Sequence, residues 1–342
     1  MRRKIIIISL LLGFFVNLSY SQKKGAEATA PKKGIEVIAP KRGVAGDIAI
    51  NVDGKPFTSF ITQVRGLDIG KPIFWPIRSA KGTIVTRGWP LVTDIPNEQN
   101  DHPHHTGLFI THGVVTAGTV KELNFWATRS RNEKERLIEV KNSKSGEDYG
   151  LLETVSLWES PETGPILENT QKNIFWYDNN SRMIDFDITL KGLKVPVTFE
   201  DTKEGAIGIR VHRDMTEEYG GAKYINAEGL ETEKNIWGKR SKWVALSSKI
   251  GTEPIVIAIM FRPETNDYPP LWHARGYGCF AVNPFSGGNA YSEGKNPPTT
   301  TTIKPGGSIK LKYRVLIYSG QLTKQQLDQQ YDKYLKQSES VK

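Results

Sequence analysis

The stretch that decides the fold is Ile184-Asp185-Phe186-Asp187-Ile188-Thr189-Leu190, in which apolar and polar side chains alternate strictly. Ile309-Lys310-Leu311-Lys312-Tyr313-Arg314-Val315 repeats the pattern, and Ile317 continues it. Successive side chains of a β-strand point to opposite faces, so this period of two predicts strands with one buried face. Similar short runs lie near residues 47–52, 56–62, 136–140, 151–158, 172–177, 206–211 and 255–261. Asp178-Asn179-Asn180-Ser181 separates two runs and reads as a hairpin turn. Strands do not alternate with long amphipathic helices, which argues against a doubly wound parallel sheet. The clearest helix is terminal: Thr323 can cap it, and Leu327, Tyr331, Tyr334 and Leu335 share a face. The expectation is an all-β antiparallel sandwich over about residues 46–320, with a short helix packed on its outside.

Composition agrees. The chain has 342 residues, 38% hydrophobic and 24% charged, which is ordinary for a globular protein with ample core. Its single cysteine, Cys279, excludes a disulfide framework and any multi-cysteine metal site. Arg2, Arg3 and Lys4 followed by the apolar Ile5 to Val16, with Ser19 and Ser21 before Gln22, read as a signal peptide over residues 1–21. No later apolar run is long enough to span a membrane as a helix, so the mature chain is expected to be exported, periplasmic or extracellular in a bacterium. Residues 22–45 read as a linker: Ala30-Pro31-Lys32-Lys33-Gly34 recurs as Ala39-Pro40-Lys41-Arg42-Gly43, without an aromatic residue. The signal carries +3 and the linker +4, so only +2 of the formal +9 falls on residues 46–342. A nearly neutral folded part removes the main support for nucleic-acid binding.

The chemistry concentrates in two stretches. Four of the six histidines fall in Asp101-His102-Pro103-His104-His105-Thr106-Gly107-Leu108 and Thr111-His112-Gly113. The other two are His212, in Arg210-Val211-His212-Arg213, and His273, in Trp272-His273-Ala274-Arg275. Clustered imidazoles suit acid–base work or ligation near neutral pH. If the segment is extended, His102 and His104 point the same way and can share a divalent metal, with Asp101 behind them and His112 or His212 as third ligand. The alternative is a metal-free, hydrogen-bonded loop that touches substrate. The second stretch runs from Asn226-Ala227-Glu228-Gly229 to Trp237-Gly238-Lys239-Arg240. Trp237, Trp243 and Trp272 offer flat apolar faces, and Arg210, Arg240 and Arg275 offer forked donors. That combination suits a sugar ring; the bland alternative is core tryptophans with arginines paired to Glu228, Glu231 and Glu233. Gly276-Tyr277-Gly278-Cys279-Phe280-Ala281 formally fits G-x-G-x-x-A, but Asn283-Pro284 follows and no helix can open there, so no nucleotide cofactor is expected.

Several blocks together resemble the DUF6807 family, also labelled "methane oxygenase PmoA". They are Lys71-Pro72, Pro76-Ile77-Arg78, Val85-Thr86-Arg87-Gly88, Asp101 to Leu108, Asn124-Phe125-Trp126, Arg210-Val211-His212, Asn226-Ala227-Glu228-Gly229, Trp237-Gly238-Lys239-Arg240 and Trp272 to Gly278. The resemblance covers about residues 46–335. Thr106 stands where many members carry arginine, and Gly276 where an acidic residue is common. The label cannot be literal, because the oxygenase subunit is a bundle of membrane spans. The resemblance implies a single secreted β-sandwich domain over 46–342, and a galactose-mutarotase-like supersandwich by analogy.

Two function classes follow. In the first, the protein is a carbohydrate epimerase, hydrolase or lyase. His104, His105 or His212 then moves a proton against Glu228, while Asp101, His102, Arg210, Trp237, Arg240, Trp272, His273 and Arg275 hold a small carbohydrate. In the second, the same residues bind a periplasmic glycan without turnover. Histidines converging on one cleft favour the first, and a shallow lining the second. A metal-dependent oxygenase is a third reading, which requires three convergent ligands.

Overall fold

The computed structural model describes residues 33–40, 46–127, 132–262 and 269–337. The expected signal peptide lies outside them. Strands dominate and every named pairing is antiparallel, as the alternation predicts. They form two eight-stranded sheets and one four-stranded sheet. The first sheet runs, in order, Ile35–Ile38, Ile48–Val52, Lys55–Ile61, Ile73–Phe74, Leu108–His112, Gly205–Arg210, Cys279–Asn283 and Leu271–Ala274. The second runs Lys223–Asn226, Trp243–Ile250, Glu253–Phe261, Ser308–Ser319, Ser181–Gly192, Gly164–Tyr177, Gly150–Ser160 and Lys134–Lys144.

The two large sheets share one core. Ile207, Ile209, Phe280 and Val282 of the first belong to the same buried cluster as Ile184, Phe186, Ile188, Val315 and Ile317 of the second. Phe74 meets Phe175 and Phe186 edge-on at 5.9 and 5.8 Å across the interface. The Asp178 turn forms as the sequence predicts, with its carboxylate accepting from the backbone N–H of Asn180 and Ser181.

The second sheet departs from simple alternation. Its outer face carries a second apolar cluster, including Trp176, Trp243, Ala258, Met260 and Leu316, which the helix Lys324–Gln337 covers with Leu327, Tyr331 and Tyr334. Asp185 and Arg314, expected on a polar face, are buried beneath that helix. The Arg314 guanidinium forks onto the Asp185 carboxylate at 2.6 and 2.7 Å, and Trp176 Nε1 also donates to it at 2.9 Å. Thr323 caps the helix reciprocally: its hydroxyl accepts from Gln326 N–H, and Gln326 Oε1 accepts from Thr323 N–H.

The linker expectation needs one correction. Ile35–Ile38 is a strand paired with Ile48–Val52, and Ile35 and Val37 are buried. Two β-branched side chains at alternate positions suffice to complete a sheet edge without any aromatic residue. The remaining linker residues, 22–32 and 41–45, lie outside the described ones. Among the described residues no helix is long and apolar enough to cross a membrane.

Candidate functional site

The site is built on the outer face of the first sheet, away from the shared core. Residues paired across an antiparallel sheet point to the same side. Phe109 opposes Gly208, Gly208 opposes Ala281, and Ala281 opposes His273, so these form one row. Arg210, opposite Cys279, is two residues from Gly208 and shares its face. Gly208 keeps the row tight: a Cβ there would meet the Phe109 ring and Ala281 at 3.1 Å.

Arg87 organises the histidine segment above this row. A bridge between Thr86 and Val211 sets Arg87 beside Arg210, and both are almost fully buried. Arg87 donates to the carbonyls of Gln99, Asp101, His102 and His105 and to the Asp101 carboxylate. Segment 101–105 is therefore a turn, closed by His105 N–H to His102 C=O at 3.0 Å, and not the extended run that would align His102 with His104. His102 sits at φ +43°, an uncommon conformation for a side chain of this size. The turn stacks His102 on His105, with ring centroids 5.0 Å apart, and sets His104 edge-on to His105 at 4.4 Å. Tyr277 stacks on His102 at 4.7 Å and lies under the Arg210 guanidinium at 4.8 Å.

One carboxylate serves three cations or donors. Asp101 Oδ1 accepts from Arg87 at 2.7 Å and Arg210 at 2.6 Å, while Oδ2 lies 3.0 Å from His102 Nδ1. Partial burial opposes ionisation of Asp101. The His102 hydrogen bond and the two guanidiniums outweigh it and hold the carboxyl well below its usual range. His102 keeps 42% of its side chain exposed, with Nε2 at the far end of the ring from the carboxylate.

His105, His112 and His212 are tied to the scaffold by hydrogen bonds, and His273 is buried. His105 is buried, and its Nε2 accepts from Trp126 Nε1 at 3.0 Å, so any proton sits on Nδ1. Burial, His104 and Arg210 push its pKa far below the ordinary value. Burial drives His273 down to about 3 and His112 to about 4. His112 Nε2 meets the Glu200 carbonyl at 3.1 Å. His212 Nδ1 accepts from Asp214 N–H at 3.1 Å and caps a short 3₁₀ turn. Lys71 is buried under the His104 and Trp126 carbonyls, and desolvation lowers it to about 7.

The expected constellation is thus assembled in part. Asp101, His102, His104, His105, Arg210, His273 and Arg275 are joined by contacts through Tyr277 and Trp126. Glu228 is not among them: it is exposed in the turn after Lys223–Asn226, a strand of the second sheet. Arg240 is also exposed, donating to the Pro269 carbonyl. Trp272 is fully buried and donates to the Ser241 carbonyl, because its strand turns it into the shared core and His273 outward. The carboxylates joined to this cluster are Asp101 and Glu233; Glu233 pairs with Arg275 at 2.7 Å. Arg87, Lys71, Trp126 and Tyr277 complete the site. Their signal in the sequence was membership of the motif blocks that carry the family resemblance, and only Tyr277 shares its block with a histidine.

Among the described residues, no group of three or more His, Cys, Asp or Glu side chains is placed to hold a metal ion. One ring nitrogen of each of four histidines is already engaged within the chain: His102 Nδ1 by Asp101, His105 Nε2 by Trp126, and one nitrogen each of His112 and His212 by backbone.

The DUF6807 model, a family of unknown function, matches residues 47–332. The chain belongs to the DUF6807 family. Gly276 has a local reason: its N–H donates to Glu233 Oε2, and a Cβ there would come within 2.6 Å of that oxygen. No curated protein matches the sequence. Solved structures similar to it include the GH36 alpha-galactosidase AgaB from Geobacillus stearothermophilus, at 13% identity and TM-score 0.40, covering 77% of this chain and 39% of that one. Another is a galactose mutarotase related enzyme from Lactobacillus acidophilus, at 10% identity and TM-score 0.36, covering 84% of this chain and 98% of that one.

Proposed function

We propose that this is an exported, carbohydrate-active protein in which His102, oriented by Asp101, transfers a proton to or from a bound sugar. The observation that carries the reading is the pair itself. Asp101 Oδ2 accepts from Nδ1 of an exposed imidazole, which fixes the tautomer and leaves Nε2 as the basic nitrogen. The two buried arginines hold the carboxylate ionised and immobile. His105 and His212, also first candidates by sequence, are less suited: His105 is buried and bonded to Trp126, and His212 caps a turn, while His104 stands edge-on to His105 beside the pair. Beside His102, the partly exposed Arg275 guanidinium offers the forked donor, and the half-buried Trp237 ring next to it the flat face, that a sugar needs.

The test is a panel of mono- and oligosaccharides, neutral and uronic, followed by proton NMR in D₂O. His102→Asn should lower turnover about 10²-fold or more, and His212→Asn should leave it intact. Full turnover in His102→Asn would sink the proposal. Sugar binding that His102→Asn weakens, with no turnover in either protein, would assign the protein to glycan recognition instead.

A further inference from the structure

Beside the His102 centre lies a cavity of about 590 Å³, lined by Glu217, Thr232, Glu233, Lys234, Trp237 and Arg275. Its volume falls within the roughly 300–1,000 Å³ of small-molecule sites. An unbroken series of flat groups connects it to His102. Tyr277 stacks on His102 at 4.7 Å, Arg275 lies 5.5 Å from the Tyr277 ring, and the same guanidinium lies 5.6 Å from the Trp237 ring. The wall is fixed in place. Tyr291 meets Trp237 edge-on at 5.1 Å, and a Cβ on Gly238 would come within 2.8 Å of Tyr291.

The charges of this cavity cancel. Arg275 is paired with Glu233, and the four charged lining residues, Glu217, Glu233, Lys234 and Arg275, sum to zero formal charge. Glu217 is further occupied: its two oxygens accept the backbone N–H groups of Tyr224 and Glu233. Such a lining offers donors and acceptors to hydroxyls without favouring an anion. Trp237 lines this cavity with part of its ring, beside the Arg275 guanidinium.

The geometry points to a second sugar subsite in this cavity, so that the ligand is a neutral oligosaccharide with one residue at His102 and another against Trp237. This rests on the carbohydrate reading above and extends it. Lys234 sits on the same wall with an exposed side chain, so it can be changed without touching the core.

The experiment is calorimetric titration of the full chain with neutral gluco-, xylo-, galacto- and manno-oligosaccharides of one to four residues, and with the matching uronic series. In at least one neutral series, affinity should rise tenfold or more from one residue to two or three. That gain should collapse toward unity in Trp237→Ala. It should collapse likewise in Lys234→Trp, which narrows the cavity from an exposed position and does not depend on the wall tolerating a truncation. If single sugars bind and extension adds nothing, the subsite is refuted while the His102 reading stands. If uronic oligosaccharides gain more than neutral ones, the neutral assignment fails. If no sugar of any length binds, both readings fall.

Discussion

Asp101→Asn should cost this protein about 3 kcal/mol of stability at pH 7. The side chain is the counter-charge to two guanidiniums that are each 1% exposed. Removing one partner of a buried ion pair costs roughly 3–5 kcal/mol, because the remaining charge stays buried without compensation. Asp101 is itself 37% exposed, so water reaches its edge and moves the expectation to the low end of that range. The pH dependence has a defined sign. The folded carboxyl is held well below its usual range, so its contribution is complete above the unfolded value of about 4. It is lost only as pH falls through the depressed folded value. The gap between wild type and Asp101→Asn should therefore hold constant from pH 7 to about pH 4.5 and close in stronger acid. Urea unfolding followed by tryptophan fluorescence reads this as a lower midpoint at unchanged slope. A loss below about 1 kcal/mol, or a gap that shrinks between pH 7 and pH 5, would refute the idea that Asp101 is the anchor of the site.

Two further changes probe the scaffold. His112 is held neutral with a pKa near 4 against an ordinary 6.5, so the unfolded chain binds the extra proton as pH falls and stability drops. Between pH 7 and pH 5 that one group accounts for about 2 kcal/mol. His112→Gln should flatten the stability–pH curve by that amount, and an unchanged curve would show that His112 is not the acid-sensitive group. Thr323→Ala removes one half of the reciprocal cap on the helix Lys324–Gln337 and should cost about 1 kcal/mol. A neutral result in thermal unfolding would mean that the packing of Leu327, Tyr331 and Tyr334 alone holds that helix.

What the sequence determined by itself was whatever depends on neighbours along the chain. Alternation at 184–190 and 309–317 specified strands, because pleating puts every second side chain on one face. Asp178 to Ser181 specified a turn, and Thr323 with Leu327, Tyr331 and Tyr334 specified a capped, one-sided helix. The crowding of histidines into 101–112, and their company of Arg210, His273 and Arg275, marked the candidate site. What only the tertiary structure decided was the role of each group. Alternation does not say which parity faces the shared core, so Trp272 and not His273 went inside. His102 and His105 differ by three residues and look equivalent in sequence. Trp126, 21 residues on, occupies one, and Asp101, pinned by Arg87 and by Arg210 from 109 residues away, orients the other. Glu228 belongs to one of the motif blocks yet sits in an exposed turn after a strand of the opposite sheet, while Glu233, five positions on, reaches Arg275. Even Ile35–Ile38, which reads as linker, became a strand because an open sheet edge at Ile48–Val52 offered it hydrogen bonds and a core. Pairing partners far apart in sequence set the burial and the tautomer of each side chain, and no local pattern carries that information.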